Sequence, residues 1–380
     1  MLERLETLPT DPLFQLVKAF QQDPNPEKMN LGIGVYTTET GEPYVMPAVR
    51  LAASGLTSNN YNYTPLGGDP MFLRNAGKLV LGGEFDLDGF AMQAVCGGTH
   101  ACAVFALLAA RAGYKHILVA EPTWVNHRNI FSAFSQTIFS HLNMEGKVSL
   151  EDYRKAIETV SEPTILLIHG GLTHNPTGIN FSLEQLRVLA DVIRSRPIFV
   201  FIDFAYLGLG EGIEQDTEFV RLLMRELQDV AVGISFSKNA TLYAHRTGAL
   251  LVKTKQKERV ESNLRQIVRS SISSAPVFGQ RILNTIFEQH FSLWQQNIDE
   301  MRQSIDSRRK ALISAAPELR LLDSTRGLFG LLPITAEQVN QLQTEYSVYL
   351  PKDGRINFSG IETRRITYLT EALHSLWNPT

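Results

Sequence analysis

Cysteine and long apolar runs are scarce in this sequence of 380 residues. The two cysteines, Cys96 and Cys102, cannot form a disulfide framework and suit a reducing compartment. The longest apolar stretch, residues 101–110, is about half as long as a transmembrane helix requires. The opening residues, MLERLETLPTDP, lack the basic and apolar regions of a signal peptide. We therefore expect a soluble, cytoplasmic protein with no membrane partner.

An excess of charge of either sign is also missing. The chain has 36 basic and 39 acidic residues, which gives a net charge of −3. This near balance gives no reason to expect a nucleic-acid partner. No GxGxxG sequence follows an early strand, which disfavours a dinucleotide-dependent enzyme. The hydrophobic content of 44% is enough to form one large and one smaller domain.

Short apolar runs recur between about residues 90 and 255. They are AMQAVCGG, HILVAEP, TILLIHGG, IFVFIDFAY, VAVGISFS and GALLVK. Most are uniformly apolar, as is typical of strands covered on both faces, and helical patterns such as LEDYRKAIETV and LEQLRVLADVIRS lie between them. This alternation predicts an α/β fold with a mainly parallel sheet, whose ligands bind at the carboxyl ends of the strands.

A different pattern follows Pro276. A long helical pattern runs to about residue 316. The remaining tail contains two short candidate strands, GLFGLLP and GRINFSG, and a closing helix. These elements are sufficient for a smaller lobe.

Four polar features lie where the apolar runs end. They are Gly97-Gly98-Thr99 before an apolar helix, the turn HNPTG at 174–178, Asp203 after IFVFI, and SFSKN at 235–239 followed by Arg246. Each has an ordinary interpretation: a helix cap, a turn, a structural acid and a solvated lysine. Three of them also suit chemistry: the helix N-terminus can bind an anion, the buried acid can meet a cation, and the lysine can form a Schiff base if its pKa is lowered. Together they fit pyridoxal phosphate, which requires a lysine, a carboxylate and an anion site.

These residues resemble the fold-type I pyridoxal-phosphate aminotransferases, and within them the aspartate and aromatic amino-acid subgroup. The resemblance covers essentially the whole chain. It rests on DPLFQL, NLGIGVY, GGTHA, EPTWVNH, HNPTG, DFAYLG, SFSKN with Arg246, and GRINFSG, in that order. It implies a large domain, residues 40–300, with a mainly parallel seven-stranded sheet between helices. A smaller α/β domain would combine residues 1–39 and 301–380.

The resemblance also implies roles for single residues around the cofactor. Lys238 resembles the lysine that binds the cofactor aldehyde and moves the substrate proton, and Asp203 resembles the acid that keeps the ring nitrogen protonated. Other matching residues are Asn175 and Tyr206, which donate to the ring oxygen, Trp124, which stacks on the ring, and Gly98, Thr99, Ser235, Ser237 and Arg246, which bind the phosphate. His127 and His174 resemble partners that orient the acid, although both are equally consistent with core histidines. No metal ion is expected.

Substrate residues follow from the same resemblance. Arg355 matches the arginine that binds the α-carboxylate, and Gly34 matches the backbone beside it. Tyr63 and Arg269 resemble residues that the second subunit of a homodimer donates, to the phosphate and to a side-chain carboxylate respectively. An ordinary surface arginine is the alternative for Arg269. Ile272 stands where the family usually has a tyrosine, so the side-chain pocket departs from the common pattern.

The sequence thus predicts an aminotransferase that carries the amino group of aspartate or an aromatic amino acid to 2-oxoglutarate by a ping-pong mechanism. A lyase or decarboxylase on the same fold is one alternative. A ligand-sensing domain derived from an aminotransferase is another, although such proteins usually lose the lysine or carry a DNA-binding extension. The resemblance further implies cis peptide bonds at Glu121–Pro122 and Asn175–Pro176.

Overall fold

The structure is a computed structural model, and it describes residues 12–57 and 62–377. The helices in these ranges are α1 (Pro12–Gln22), α2 (Pro47–Ser54), α3 (Pro70–Leu81), α4 (Gly97–Arg111), α5 (Asn126–Ile130), α6 (Leu150–Glu158), α7 (Leu183–Arg194), α8 (Ile213–Glu226), α9 (Lys257–Ile272), α10 (Phe278–Gln289), α11 (Phe291–Ala315), α12 (Ala336–Tyr346) and α13 (Ile366–Trp377). The strands are β1 (Met29–Asn30), β2 (Phe90–Val95), β3 (His116–Glu121), β4 (Ser135–Ser140), β5 (Thr164–His169), β6 (Ile198–Phe204), β7 (Val230–Ser235), β8 (Gly248–Lys253), β9 (Phe329–Leu331), β10 (Val348–Tyr349) and β11 (Arg355–Asn357).

A seven-stranded sheet with the order β2-β8-β7-β6-β5-β3-β4 forms the centre of the molecule. Only β8 pairs antiparallel with its neighbours, so the other six strands all point the same way. The carboxyl ends of these six strands therefore lie along one edge. The start of β8 lies at the same edge, where Gly248 pairs with Val95 and Ser235.

Hydrophobic packing on both faces explains the uniformly apolar strands. Successive side chains of a strand point to opposite faces. In β5, Leu166 and Ile168 join one buried cluster while Ile165 and Leu167 join another. Helices α4 and α9 supply the second cluster, and the remaining large helices pack on the first. Both faces of the sheet are thus buried.

Segments from the early and late parts of the described chain pair outside this sheet. Strand β1 pairs in parallel with β10, and β9 pairs antiparallel with β11. Helix α11 packs against α13, which closes the described part of the chain. Within residues 12–57 and 62–377, no helix is both long enough and apolar enough to span a bilayer.

The predicted α/β architecture is confirmed, with three differences in its elements. All six apolar runs form strands, but the edge strand β4 was not among them because its sequence, SQTIFS, is mostly polar and exposed. The single helix predicted after Pro276 is two helices, which are separated at His290, where φ is −131°. The tail contains an additional helix, α12, between the two predicted short strands.

Candidate active site

A cleft of about 600 Å³ opens at the carboxyl edge of the sheet. Its walls come from the ends of β5, β6 and β7, from the start of α4, and from segments near both ends of the chain. Its lining includes most of the residues predicted from sequence: Gly34, Gly98, Thr99, Trp124, Asn175, Asp203, Tyr206, Ser235, Ser237, Lys238, Arg246 and Arg355. The fold therefore brings together residues that lie more than 300 positions apart in the chain.

Lys238 projects into this cleft just after β7. Its Nζ lies 5.0 Å from the centre of the Tyr206 ring. Burial lowers the pKa of the Lys238 amine to about 8; Asp203 opposes this shift, whereas Arg246 and Arg355 add to it. An amine with this pKa is partly neutral near physiological pH, and the neutral amine is the nucleophile that attacks an aldehyde.

Asp203 is buried at the end of β6 and interacts with His127. The Nε2 atom of His127 lies 2.9 Å from Oδ2 of Asp203. Burial favours a higher pKa for the Asp203 carboxyl, but the interactions with His127, above all its hydrogen bond, and with His169 and Lys238 outweigh burial, so the pKa is lowered. Asp203 is therefore an ionised carboxylate within an apolar sheet, which suits it to hold a cationic N–H group.

A chain of hydrogen bonds continues behind His127. The hydroxyl of Thr123 lies 2.9 Å from Nδ1 of His127 and 2.9 Å from Nε2 of His169. A carboxylate only accepts, so His127 donates from Nε2 to Asp203, and the Thr123 hydroxyl joins the imidazole rings of His127 and His169. Burial lowers the pKa of His169 to about 3, so this imidazole is neutral. The chain fixes the ring of His127 so that it faces the acid.

The other predicted histidine, His174, has a different position. Its Nδ1 pairs with the Thr177 hydroxyl at 2.9 Å, and its ring stacks on that of His141 at 3.8 Å. No hydrogen bond joins His174 to Asp203 in the described part of the chain. Of the two histidines expected to orient the acid, only His127 contacts it; His169 is the second link instead. His169 lies opposite Asp203 in the pairing of β5 with β6, so its place at a strand end was the available signal.

Asn175, Tyr206 and Arg355 form a second group across the cleft. The Asn175 amide donates to the Tyr206 hydroxyl at 3.4 Å, and Arg355 donates to Oδ1 of Asn175 at 2.9 Å. Arg355 also donates to the carbonyl of Gly32 and lies over the Phe329 ring. Burial raises the pKa of Tyr206, so its hydroxyl stays protonated and able to donate. These contacts hold a guanidinium group at the mouth of the cleft.

An anion site lies at the start of α4. Arg246 donates to Oγ of Ser237 at 3.2 Å and to the carbonyl of Cys96 at 3.2 Å. Gly97 adopts a φ of 74°, and a Cβ atom there would lie 3.0 Å from Nη2 of Arg246. Glycine thus allows the guanidinium group to approach the helix N-terminus. Backbone N–H groups, the helix dipole and a cation converge here.

Two predicted residues lie apart from the cleft walls. Tyr63 is 90% exposed. Arg269 is exposed in the last turn of α9, where it donates to Oγ of Ser273 at 2.6 Å. In contrast, Tyr243 and Phe329 were missed by the sequence analysis, although both line the cleft. The hydroxyl of Tyr243 accepts from the backbone N–H of Tyr36 at 3.0 Å, which ties the segment around Gly34 to the loop after Lys238.

Both predicted cis peptide bonds are present. Glu121–Pro122 and Asn175–Pro176 are cis. Each lies beside a residue that lines the cleft, Trp124 in the first case and Asn175 in the second. The Trp124 ring is half-buried and meets the His127 ring edge-on, with their centres 5.2 Å apart.

Comparisons with known proteins agree with this arrangement. The model of the family described as aminotransferase class I and II matches residues 26–373. The mitochondrial aspartate aminotransferase of Xenopus tropicalis is 33% identical over 395 residues, which covers 98% of this chain and 92% of that protein. The aromatic-amino-acid aminotransferase of Pseudomonas aeruginosa is 31% identical, with 97% of each chain covered.

Solved structures show the same similarity. The cytoplasmic aspartate aminotransferase of Saccharomyces cerevisiae has a TM-score of 0.94 at 28% identity, covering 99% of this chain and 98% of that one. The aromatic-amino-acid aminotransferase of Burkholderia pseudomallei, covalently bound to pyridoxal phosphate, has a TM-score of 0.93 at 29% identity over 100% of both chains. Our chain belongs to the aminotransferase class I and II family, and it is an enzyme of the transaminase type with pyridoxal phosphate as its cofactor.

The donor set of the cleft fits this cofactor. Oδ1 of Asp203 is buried and has no hydrogen-bond partner in the described residues, so it is available to a ring N–H. Lys238 has an amine of lowered pKa for the aldehyde. Arg246 and the start of α4 offer positive charge for the phosphate. These three groups match the ring nitrogen, the aldehyde and the phosphate of pyridoxal phosphate.

Proposed function

We propose that this enzyme transfers the amino group of aspartate or an aromatic amino acid to 2-oxoglutarate by a ping-pong mechanism. The observation that carries the proposal is the meeting of Lys238, Asp203 and Arg355 in one cleft. When bound, pyridoxal phosphate supplies an aldehyde that takes the amino group and a ring that withdraws electrons from the substrate Cα. The protein residues bind, orient and move protons around it.

Lys238 would be both the covalent anchor of the cofactor and the base that moves the Cα proton. A pKa of about 8 suits both tasks, because the amine can accept a proton and return it near neutral pH. Asp203 would hold the proton on the ring nitrogen. Tyr206 and Asn175, which are hydrogen-bonded to each other, would donate to the ring oxygen. Thr99, Ser235, Ser237 and Arg246 would bind the phosphate together with the backbone of Gly98, while Trp124 would pack on the ring.

Arg355 would bind the substrate α-carboxylate. Its guanidinium group is planar and can form two parallel hydrogen bonds with a carboxylate. The Nε atom of Arg355 is buried and has no partner in the described part of the chain, so the side chain still has a free donor. The backbone at Gly34 would complete this end of the site; a Cβ atom there would lie 3.0 Å from the Phe329 ring.

The substrate class is inferred from a second arginine and from the relatives. Arg269 would bind the side-chain carboxylate of a dicarboxylic substrate. The relatives named above act, by their names, on aspartate or on aromatic amino acids. We therefore propose a dicarboxylic acceptor and an amino donor from one of these two classes. Ile272 lies three residues after Arg269 and is partly exposed. With isoleucine in place of the tyrosine that is usual in the family, the pocket would have room for an apolar side chain of the substrate.

We further propose a cytoplasmic homodimer with shared active sites. Tyr63 and Arg269 are exposed and do not line the cleft of their own chain, which supports a role in the cleft of a partner. Two residues of α10 hold the loop that carries Tyr63 in place: Gln280 accepts from the N–H of Asp69, and Arg281 donates to the carbonyl of Asn62.

The division into a large domain, 40–300, and a discontinuous small domain is also a proposal, which the pairing of β1 with β10 supports.

Steady-state kinetics with a panel of amino donors tests the reaction. Aspartate, phenylalanine and tyrosine should each be tried with 2-oxoglutarate, and glutamate should be measured as the product. We expect parallel lines in double-reciprocal plots, because the first product leaves before the second substrate binds. Intersecting lines would contradict the ping-pong order. Ammonia or carbon dioxide in place of glutamate would favour a lyase or decarboxylase instead.

A further inference from the structure

Cys102 lies beside the acid that would hold the cofactor ring. It is fully buried in α4, four residues after Gly98. Residues four apart lie on the same face of a helix. That face packs on β6, since a Cβ atom at Gly98 would lie 3.6 Å from Oδ1 of Asp203. Cys102 therefore occupies the next turn of the helix behind the same carboxylate.

The thiol lies close to the acid. One ligand atom each from Cys102, His127 and Asp203 lie within 4.8 Å of one another. His127 already occupies Oδ2 of Asp203. Oδ1 is buried and has no partner with normal hydrogen-bond geometry in the described residues. A carboxylate oxygen has two lone pairs, so Oδ1 can accept from the cofactor ring and from one further donor.

We propose that the Cys102 thiol donates its S–H to Oδ1 of Asp203 and acts as a positioning residue for this carboxylate. His127 and Cys102 would then hold the two oxygens from two sides. This fixes the plane of the carboxylate and leaves one lone pair of Oδ1 directed at the cleft. The inference rests on the proposed role of Asp203 toward the cofactor ring.

The thiol is suited to donate rather than to ionise. Burial, and then the negative charge of Asp203, raise the pKa of Cys102 well above its ordinary value. The thiol therefore keeps its proton near neutral pH. A buried S–H is also compact, and residues such as Ala101 and Phe105 pack around it in the apolar cluster between α4 and the sheet.

A competing acceptor must be distinguished from Asp203. Side chains in helices can donate to the backbone carbonyl four residues earlier, which for Cys102 is that of Gly98. Infrared spectroscopy separates the two, because the S–H stretching frequency falls as its hydrogen bond strengthens. The Cys102 band is identified as the one that Cys102→Ala removes. In Asp203→Ala saturated with pyridoxal phosphate, we expect this band to move to higher frequency. A band that stays in place would assign the thiol to Gly98 and overturn the proposal.

Cofactor affinity gives an independent test. Cys102→Ala removes the donor, whereas Cys102→Ser keeps one of similar size. We expect the Kd for pyridoxal phosphate to rise about three- to tenfold in Cys102→Ala, as for loss of one hydrogen bond, and to return toward the wild-type value in Cys102→Ser. Val104→Ala, a packing change in the same helix, should leave the Kd unchanged.

The opposite ranking would contradict the proposal. If Cys102 only fills space, alanine and serine would weaken binding equally, or serine more, because a hydroxyl group is less suited to an apolar core. One outcome separates the two roles: Asp203→Ala abolishes amino transfer, but neither the S–H band nor the Kd values of the Cys102 variants change as expected. In that case the role of Asp203 stands and only the role of Cys102 fails.

Discussion

At the scale of single residues, the main requirement is that part of the Lys238 population has a neutral amine, because only the neutral amine is a nucleophile. Burial is the largest cause of the lowered pKa of Lys238, and Arg246 and Arg355, which share its cleft, add to it. All three disfavour the ammonium form, and Asp203 alone opposes them. The balance leaves the pKa of the amine at about 8, against 10.5 for an ordinary lysine. The arginines that we propose to bind phosphate and carboxylate would thus also help to activate the nucleophile.

The first prediction concerns the pH dependence of cofactor attachment. Only the neutral amine attacks the aldehyde, so the rate at which the cofactor-free protein gains its visible absorbance should rise with pH. Because the pKa is lowered, the rise should be centred at about 8 and level off above it. Stopped-flow mixing with pyridoxal phosphate measures this rate, and Lys238→Ala, which cannot form the bond, is the control. A midpoint near the ordinary lysine value would contradict the electrostatic account.

The second prediction concerns Asp203. Asp203→Ala should bind the phosphate end of the cofactor but lose amino transfer by at least about a hundredfold. The reason is that a charge-assisted partner in a buried site is worth roughly 3–5 kcal/mol. Single-turnover rates with saturating cofactor measure the loss. Asp203→Glu, which keeps the charge at a displaced position, should recover part of the rate. A wild-type rate in Asp203→Ala with cofactor bound would refute the assignment.

At the scale of structural elements, the turn from β2 into α4 sets the anion site. The third prediction is that Gly97→Ala weakens binding of pyridoxal phosphate about tenfold or more, because the residue has a φ of 74° and the new Cβ would press on Arg246. Gly89→Ala is the matched control, since that glycine precedes β2 and has no atom within 4 Å of the added Cβ. Equal affinities of Gly97→Ala and Gly89→Ala for pyridoxal phosphate would show that the close approach of Arg246 to residue 97 is not required.

The elements also show what the sequence could and could not predict. Strands β5 to β8 were predictable because burial on both faces makes every residue apolar, and their polar ends marked Asp203 and Lys238. Strand β4 lies at the sheet edge and is half-exposed, so its sequence does not differ from that of a loop. The break at His290 leaves no proline or glycine signal. The link through Thr123 to His169 depends on strand register, for which the sequence offers only the position of His169 at the end of an apolar run.

At the scale of the whole molecule, we propose that one chain supplies an incomplete site. Lys238, Asp203 and Arg355 meet in the cleft, while Tyr63 and Arg269 face outward. A two-fold interface is isologous, so each chain would lend these residues to its partner and receive the same in return. Function would then depend on assembly rather than on the single chain.

The fourth prediction tests this exchange of residues. We expect the dimers of Lys238→Ala and those of Arg269→Ala each to be inactive toward a dicarboxylic substrate. If Arg269 acts in the partner's cleft, a hybrid dimer has one doubly defective site and one intact site. A random mixture should regain about a quarter of wild-type activity, since half of the dimers are hybrids with half of their sites intact. The parent dimers, incubated alone, are the controls. Proven subunit exchange without recovery would place Arg269 outside the partner's site.

The most direct test of amino transfer is a single half-reaction. The enzyme with bound cofactor is mixed with aspartate, or with phenylalanine, in the absence of any oxo acid. Our account predicts that the visible absorbance disappears as one equivalent of the matching 2-oxo acid forms per subunit, with no ammonia or carbon dioxide. Adding 2-oxoglutarate should then restore the absorbance and release one equivalent of glutamate. Release of ammonia or carbon dioxide, or an unchanged spectrum with every amino acid tried, would contradict it.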